Sequence, residues 1–167
     1  MIVVSNTSPL TNLAAIGQFD LLHHLYGEIH IATGVWAELN AEGQSWPGRA
    51  QVAAAAWIQR YTAQNQTLVT ALRRDLDQGE AESIALALEL KADIILLDEK
   101  EGRHSAQRLG LRPIGVIGVL LEAKANNLID RVGPYLQVLR QTAGFYLNES
   151  FYQSALDLAG ETETTAD

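Results

Sequence analysis

The chain has 167 residues, 47% hydrophobic and 19% charged, which is the composition of a globular protein and the length of one domain. It contains no cysteine, which excludes disulfide scaffolds, thiolate zinc sites and thiol nucleophiles. Its net charge of −8, from 12 basic and 20 acidic residues, argues against a nucleic-acid coat protein, though a nuclease can gather carboxylates around cations.

No apolar run approaches the roughly 18 residues of a membrane span. Met1 to Phe19 carries no charged side chain, so the basic start of a signal peptide is missing. A cytoplasmic protein with no membrane partner is expected.

Ile2-Val3-Val4 reads as a buried strand. Ser8 and Pro9 form an N-cap and N1 pair opening a helix to Gly17. A second helix runs from Phe19 to Tyr26, followed by a strand at Ile29-His30-Ile31 and a helix from Thr33 to Leu39. Asn40 to Gly48 is a polar, glycine-rich loop. An Ala-rich helix begins at Pro47, and Trp57 to Tyr61 is a strand candidate. Helices follow over Gln66–Leu76 and Gln78–Lys91. Ile94-Ile95-Leu96-Leu97 is the clearest strand, apolar without alternation, as in a parallel strand covered on both faces. A polar helix (Lys100 to Leu109), a strand near Arg112-Pro113, apolar helices around Val119 and Leu136, and a helix from Glu149 to Leu158 complete the chain. Strands alternating with helices define an α/β fold with a central, mostly parallel sheet flanked by helices. Ligands in such sheets gather beyond the carboxyl ends of the strands, here after Val4 and after Leu97.

Three acids draw attention. Asp98 follows the Ile94–Leu97 strand directly, with Glu99 and Glu101 behind it. Glu80 lies within about 80° of Ile84, Ala87 and Leu88 on a helical wheel, so it points with the core face, whereas Glu82 and Glu89 fall on the side expected to be solvated. Glu38 borders the apolar stripe of Val35 and Leu39. Each has a plain structural explanation: Asp98 as an N-cap, Glu80 as a first-turn capping residue, Glu38 as a surface glutamate. Taken together, acids from separate elements fit a divalent metal site, since Mg²⁺ and Mn²⁺ take oxygen ligands from a few carboxylates and keep several waters.

Several stretches resemble the PIN-domain family, in the predicted nucleic-acid-binding group similar to VapC-type ribonuclease toxins. They are Val3-Val4-Ser5-Asn6-Thr7-Ser8-Pro9-Leu10, Val35-Trp36-Ala37-Glu38-Leu39, Leu76-Asp77-Gln78-Gly79-Glu80-Ala81-Glu82-Ser83-Ile84-Ala85 and Ile94-Ile95-Leu96-Leu97-Asp98-Glu99. Gly102-Arg103, Arg108-Leu109-Gly110-Leu111 and Gly115-Val116-Ile117-Gly118-Val119-Leu120 fit the same group. The resemblance implies a PIN-like three-layer fold with strand order 3-2-1-4-5; by length and composition, residues 1–160 read as a single domain and 161–167 as a disordered acidic tail. It implies an endoribonuclease dependent on Mg²⁺ or Mn²⁺, the toxin of a toxin–antitoxin pair, with an RNA substrate, a small antitoxin protein and a homodimer as partners. Glu38, Glu80 and Asp98 fall on its carboxylate positions, Glu99 or Glu101 near a further acid, and Thr7 or Ser8 on a hydroxyl position. The family carries Asp after the first strand, where this chain has Asn6, an amide that can ligate a metal but brings no charge. The competing reading is a catalytically impaired PIN-fold module that binds nucleic acid or a partner chain.

Ser8, Arg103, His104 and Arg108 are candidates for RNA contact, the last three on a basic segment with Lys100 and Arg112 that also reads as a solvated helix face. His23 and His24 are adjacent, so they face different ways and cannot form an i, i+4 metal pair. Trp36, Trp46 and Trp57 read as packing residues rather than stacking platforms. Gly115 to Gly118 is not a dinucleotide loop, and neither a P-loop nor a nucleophile elbow occurs.

Overall fold

A computed structural model describes residues 1–142 and 145–162. Its centre is a five-stranded, all-parallel sheet of β1 (Val3–Ser5), β2 (Ile29–Ala32), β3 (Ile58–Tyr61), β4 (Ile94–Leu96) and β5 (Pro113–Ile114), in the order β3-β2-β1-β4-β5. The order is the one the family resemblance implies. Val3, Val4 and Ser5 sit beside Ile94, Ile95 and Leu96, so the ends of β1 and β4 reach the same edge together.

Alternating side chains divide between the two faces, as the period of two in a strand requires. Val3, Ile29, Ile31, Ile94 and Leu96 pack with α1 (Thr7–Ala15), α2 (Leu21–Tyr26), α8 (Val116–Ala125), α9 (Gly133–Gln141) and α10 (Glu149–Ala159). Val4, Ile95 and Leu97 pack on the other face with α6 (Gln78–Glu89) and α7 (Lys100–Arg108). Helix α5 (Gln66–Leu72) adds a satellite cluster against Ala81 and Ala85, and α3 (Thr33–Leu39) and α4 (Arg49–Ala54) complete the chain. The three layers follow from strands that are apolar on both faces.

Several expectations need correction. Helix α1 begins at Thr7 with Asn6 in the N-cap position, not Ser8, because the chain turns as soon as β1 ends. Glu82 is buried at 6% exposure rather than solvated. Helix α6 is enclosed by the sheet on one side and by α3 and α5 on others, and every residue from Gly79 to Ala87 is buried. Glu161, placed in the unstructured tail, accepts hydrogen bonds from the Val132 and Gly133 N–H groups at 2.7 and 3.0 Å and from Lys124 at 2.9 Å. Residues 163–167 of that tail lie outside the described residues. Among the described residues no helix is long and apolar enough to cross a membrane.

Candidate metal and nuclease site

Asn6 stands one residue past β1, its N–H bonded to the Leu96 carbonyl of the neighbouring strand at 3.0 Å. Its backbone has N-cap geometry, but its side chain does not cap α1. The Oδ1 atom is buried and has no hydrogen-bond partner among the described residues, in a residue only 3% exposed. An unpaired buried amide oxygen costs about 1–3 kcal/mol, and such a group calls for an explanation such as an ion or water.

The explanation points to its neighbours. Glu38, in the last turn of α3, accepts the Thr7 hydroxyl on Oε2 at 2.7 Å. A Cβ added to Gly79 would lie 3.1 Å from Glu38 Oε2, 3.3 Å from Asn6 Oδ1 and 3.7 Å from Asp77 Oδ1. Three oxygens from three separate segments therefore surround one glycine at the start of α6. The absence of a side chain at Gly79 is what lets them approach.

Glu80 sits in the same first turn. It forms a reciprocal capping box with Asp77: the Glu80 N–H donates to Asp77 Oδ1 at 2.8 Å and the Asp77 N–H to Glu80 Oε2 at 3.0 Å. The other oxygen faces Gly102, whose added Cβ would meet Oε1 at 3.5 Å. Burial raises the Glu80 carboxyl above its ordinary range despite the backbone hydrogen bond, and the negative charges of Asp77, Glu99 and Glu38 raise it further. The neighbourhood is short of positive charge.

Asp98 is differently engaged. It was expected to cap α7, but Glu99 holds that N-cap position. Asp98 instead accepts the Val116 N–H at the start of α8 on Oδ1 at 2.8 Å and the Asn12 amide on Oδ2 at 3.1 Å. Burial pushes its carboxyl up, against the hydrogen bonds from Val116 and Asn12 and the Arg103 charge. Both oxygens keep a second lone pair. Among the described residues no three His, Asp or Glu side chains close on one point tightly enough to hold an ion by themselves. The compact three-carboxylate convergence expected from sequence is thus loosened. Asn6, Glu38 and the α6 turn form one part, and Asp98 stands to the side with Glu99 acting electrostatically on both Asp98 and Glu80.

Among the remaining candidates, Glu101 is exposed in the first turn of α7, while Ser8 is half-buried and its carbonyl accepts the Thr11 hydroxyl. Arg103 lies beside Asp98 and Gly115, while His104 and Arg108 are exposed on α7. Sequence reasoning missed Asn12, which gives no local signal, and Asp77, which does: Asp-x-x-Glu before an apolar run is a capping-box signature.

These observations define an α/β protein whose oxygen-rich cluster lies at the carboxyl ends of its central strands. A family model described as a PIN domain matches residues 2–161, and the chain belongs to that family. PIN domains are nuclease-type modules that generally use divalent metal ions. A comparison with curated proteins gives no match.

Proposed function

We propose that the chain is an endoribonuclease that uses Mg²⁺ or Mn²⁺. The observation that carries this reading is the orphaned Asn6 Oδ1 facing Glu38 Oε2 across Gly79. A buried, unpaired amide oxygen beside a carboxylate suits a hard cation that takes part of its shell from protein oxygens and the rest from water. Asn6 and Glu38 would hold such an ion, with Glu80, Asp98 and Glu99 supplying negative charge around it. When bound, a divalent ion supplies electrostatic stabilisation of the charge that builds on a phosphodiester during cleavage.

The chain's own residues perform the rest. The Thr7 hydroxyl fixes Glu38 in orientation. The Asp77–Glu80 capping box holds the first turn of α6 in place while leaving Glu80 Oε1 free of protein donors. Arg103, which lies beside Asp98, would meet a substrate phosphate. Ser8, His104 and Arg108 extend the surface over which the strand would run.

Resemblance to VapC-type toxins supports a place for the protein as the toxin of a toxin–antitoxin pair, acting in the cytoplasm as a homodimer neutralised by a small antitoxin. The test is cleavage of a labelled RNA by purified protein with Mn²⁺, with Mg²⁺ and with a chelator, for wild type and Glu38→Gln. Metal-dependent cleavage lost in the variant is expected. RNA binding with no cleavage under any condition defeats the enzyme reading and leaves an RNA-binding module.

A further inference from the structure

The loop after Glu38 forms a hollow of about 360 Å³ lined by Asn40, Ser45, Trp46, Gly48, Arg49 and Gln51, among others. Its place is fixed by Gly48, which has φ +86° and is pressed so close to α1 that an added Cβ would lie 2.8 Å from Ala14 Cβ. Helix α1 begins at Thr7, and Asn40 follows Glu38 by two residues. The hollow is therefore linked in sequence to Glu38 through Asn40, while its contact on α1, at Ala14, lies about two turns from Thr7.

Trp36 and Trp57 are occupied: the Arg60 guanidinium lies 4.0 Å over the Trp36 ring, and Trp57 packs with Phe19 and His23 at 5.1 Å each. Trp46 is 36% exposed and has no aromatic or cationic partner among the described residues. It is the most exposed of the three tryptophans, with most of its surface still covered. Arg49 beside it is held by Asn40 Oδ1 at 3.2 Å and the Gln44 carbonyl at 3.5 Å. Among the described residues no carboxylate pairs with it. From Asn40 to Tyr61 the one acid is Glu42, against Arg49 and Arg60, a local reversal of the chain's acidic balance.

We infer that this hollow is a nucleotide subsite for single-stranded RNA, with a base stacked on Trp46 and its phosphate on Arg49. The inference rests on the nuclease reading above. A part-exposed indole beside a held guanidinium is the pair of groups that single strands use, because unpaired bases offer a π-face that a duplex hides. The stacking is tolerant of base identity, and Asn40, Ser45 and Gln51 offer polar contacts at its rim. A strand threaded here would run toward Glu38, two residues before Asn40.

The test is fluorescence-polarisation titration of a labelled RNA of about ten nucleotides, single-stranded and as its duplex, in chelator so that no cleavage occurs. Wild type, Trp46→Ala, Trp46→Phe and Arg49→Ala are compared after circular dichroism confirms that each is folded. Trp46→Ala is expected to weaken single-strand binding on the order of tenfold, about 1.4 kcal/mol, with duplex binding unchanged and Trp46→Phe restoring most of the loss. Arg49→Ala should lower the slope of log affinity against log salt by about one. Unchanged single-strand affinity in Trp46→Ala, or an equal loss for duplex, overturns the subsite while leaving the nuclease reading intact. Wild type that binds neither RNA defeats the nuclease reading itself. Quenching of Trp46 by an acidic peptide and not by RNA makes the hollow a protein-docking site and also overturns the inference.

Discussion

Thr7 and Glu38 lie 31 positions apart in sequence and share a hydrogen bond of 2.7 Å, the hydroxyl donating to the carboxylate. Bonds to a charged acceptor contribute about 1.5–3 kcal/mol. Thr7→Val keeps the shape and removes the donor. It is expected to lower stability by roughly that amount and to weaken Mn²⁺ binding, both measured on the same preparation by thermal melting and calorimetry. Thr7→Ser should recover most of both. A Thr7→Val variant that binds Mn²⁺ as wild type does would detach this hydroxyl from the site.

Asn6→Asp is nearly isosteric and adds a charge where Glu38 and Glu80 already raise the negative potential. The metal-free protein should melt at a lower temperature, since like charges repel. Mn²⁺ binding should tighten, because a unit charge about 4 Å from another at an effective dielectric near 20 interacts by about 4 kcal/mol, part of which is lost to that repulsion. Titration calorimetry with Mn²⁺ on both proteins decides the matter: equal affinity sinks the assignment of Asn6 as a ligand position.

Gly34 and Glu82 are expected to behave as a coupled pair. A Cβ at Gly34 would stand 1.7 Å from Glu82 Oε2, an atom that is buried and unpaired. Gly34→Ala should therefore cost about 1–3 kcal/mol through overpacking, although alanine favours a helix by up to about 1 kcal/mol. In a Glu82→Ala background the same substitution should be neutral or stabilising. Denaturant unfolding of the four proteins gives the coupling energy, and additive effects would falsify the close approach.

Glu161 predicts a pH effect. Burial alone would raise its carboxyl, but the Val132 and Gly133 N–H groups and Lys124 outweigh that and hold it below the usual carboxylate range. A depressed folded value means stability that is present above the unfolded carboxylate pKa of about 4.3 and lost as pH falls through the folded value. The difference in stability between wild type and Glu161→Gln should thus be constant near neutrality and shrink under acid. A difference that stays flat down to about pH 3 would show that the Glu161 contacts do not depend on its charge.

The features legible in sequence were those written locally. The unbroken run Ile94 to Leu97 predicted β4, and Asp77-Gln78-Gly79-Glu80 carried the start of α6. Glu82 was misread because a helical wheel assumes one covered face, whereas α6 is covered on several. The plain alternative for Asp98, a cap on the helix that follows it, rests on local sequence alone. Its actual partner, Val116, arrives 18 positions later through β5, and no local pattern records that return. The solvent-facing indole of Trp46 was hidden for the same reason: residue type gives hydrophobicity, while exposure depends on where the Gly48 turn docks.

Strand β1 lies between β2 and β4. The Ile2 N–H bonds to the Asp93 carboxylate across 91 positions, and the Asp93 N–H returns to the Ile2 carbonyl. During synthesis β1 therefore waits for β4, its second neighbour, which is made only after β2 and β3. Parallel pairing over such separations is slow, since the entropy of closing the loop comes before the contacts that compensate it. Throughout that interval Ile2, Val3 and Val4 form an apolar segment with one edge unpaired, the kind of surface that favours misassociation. Asn6 donates its N–H to the Leu96 carbonyl of β4, so one of the contacts that hold it beside Glu38 and Gly79 can form only after β4 has been made.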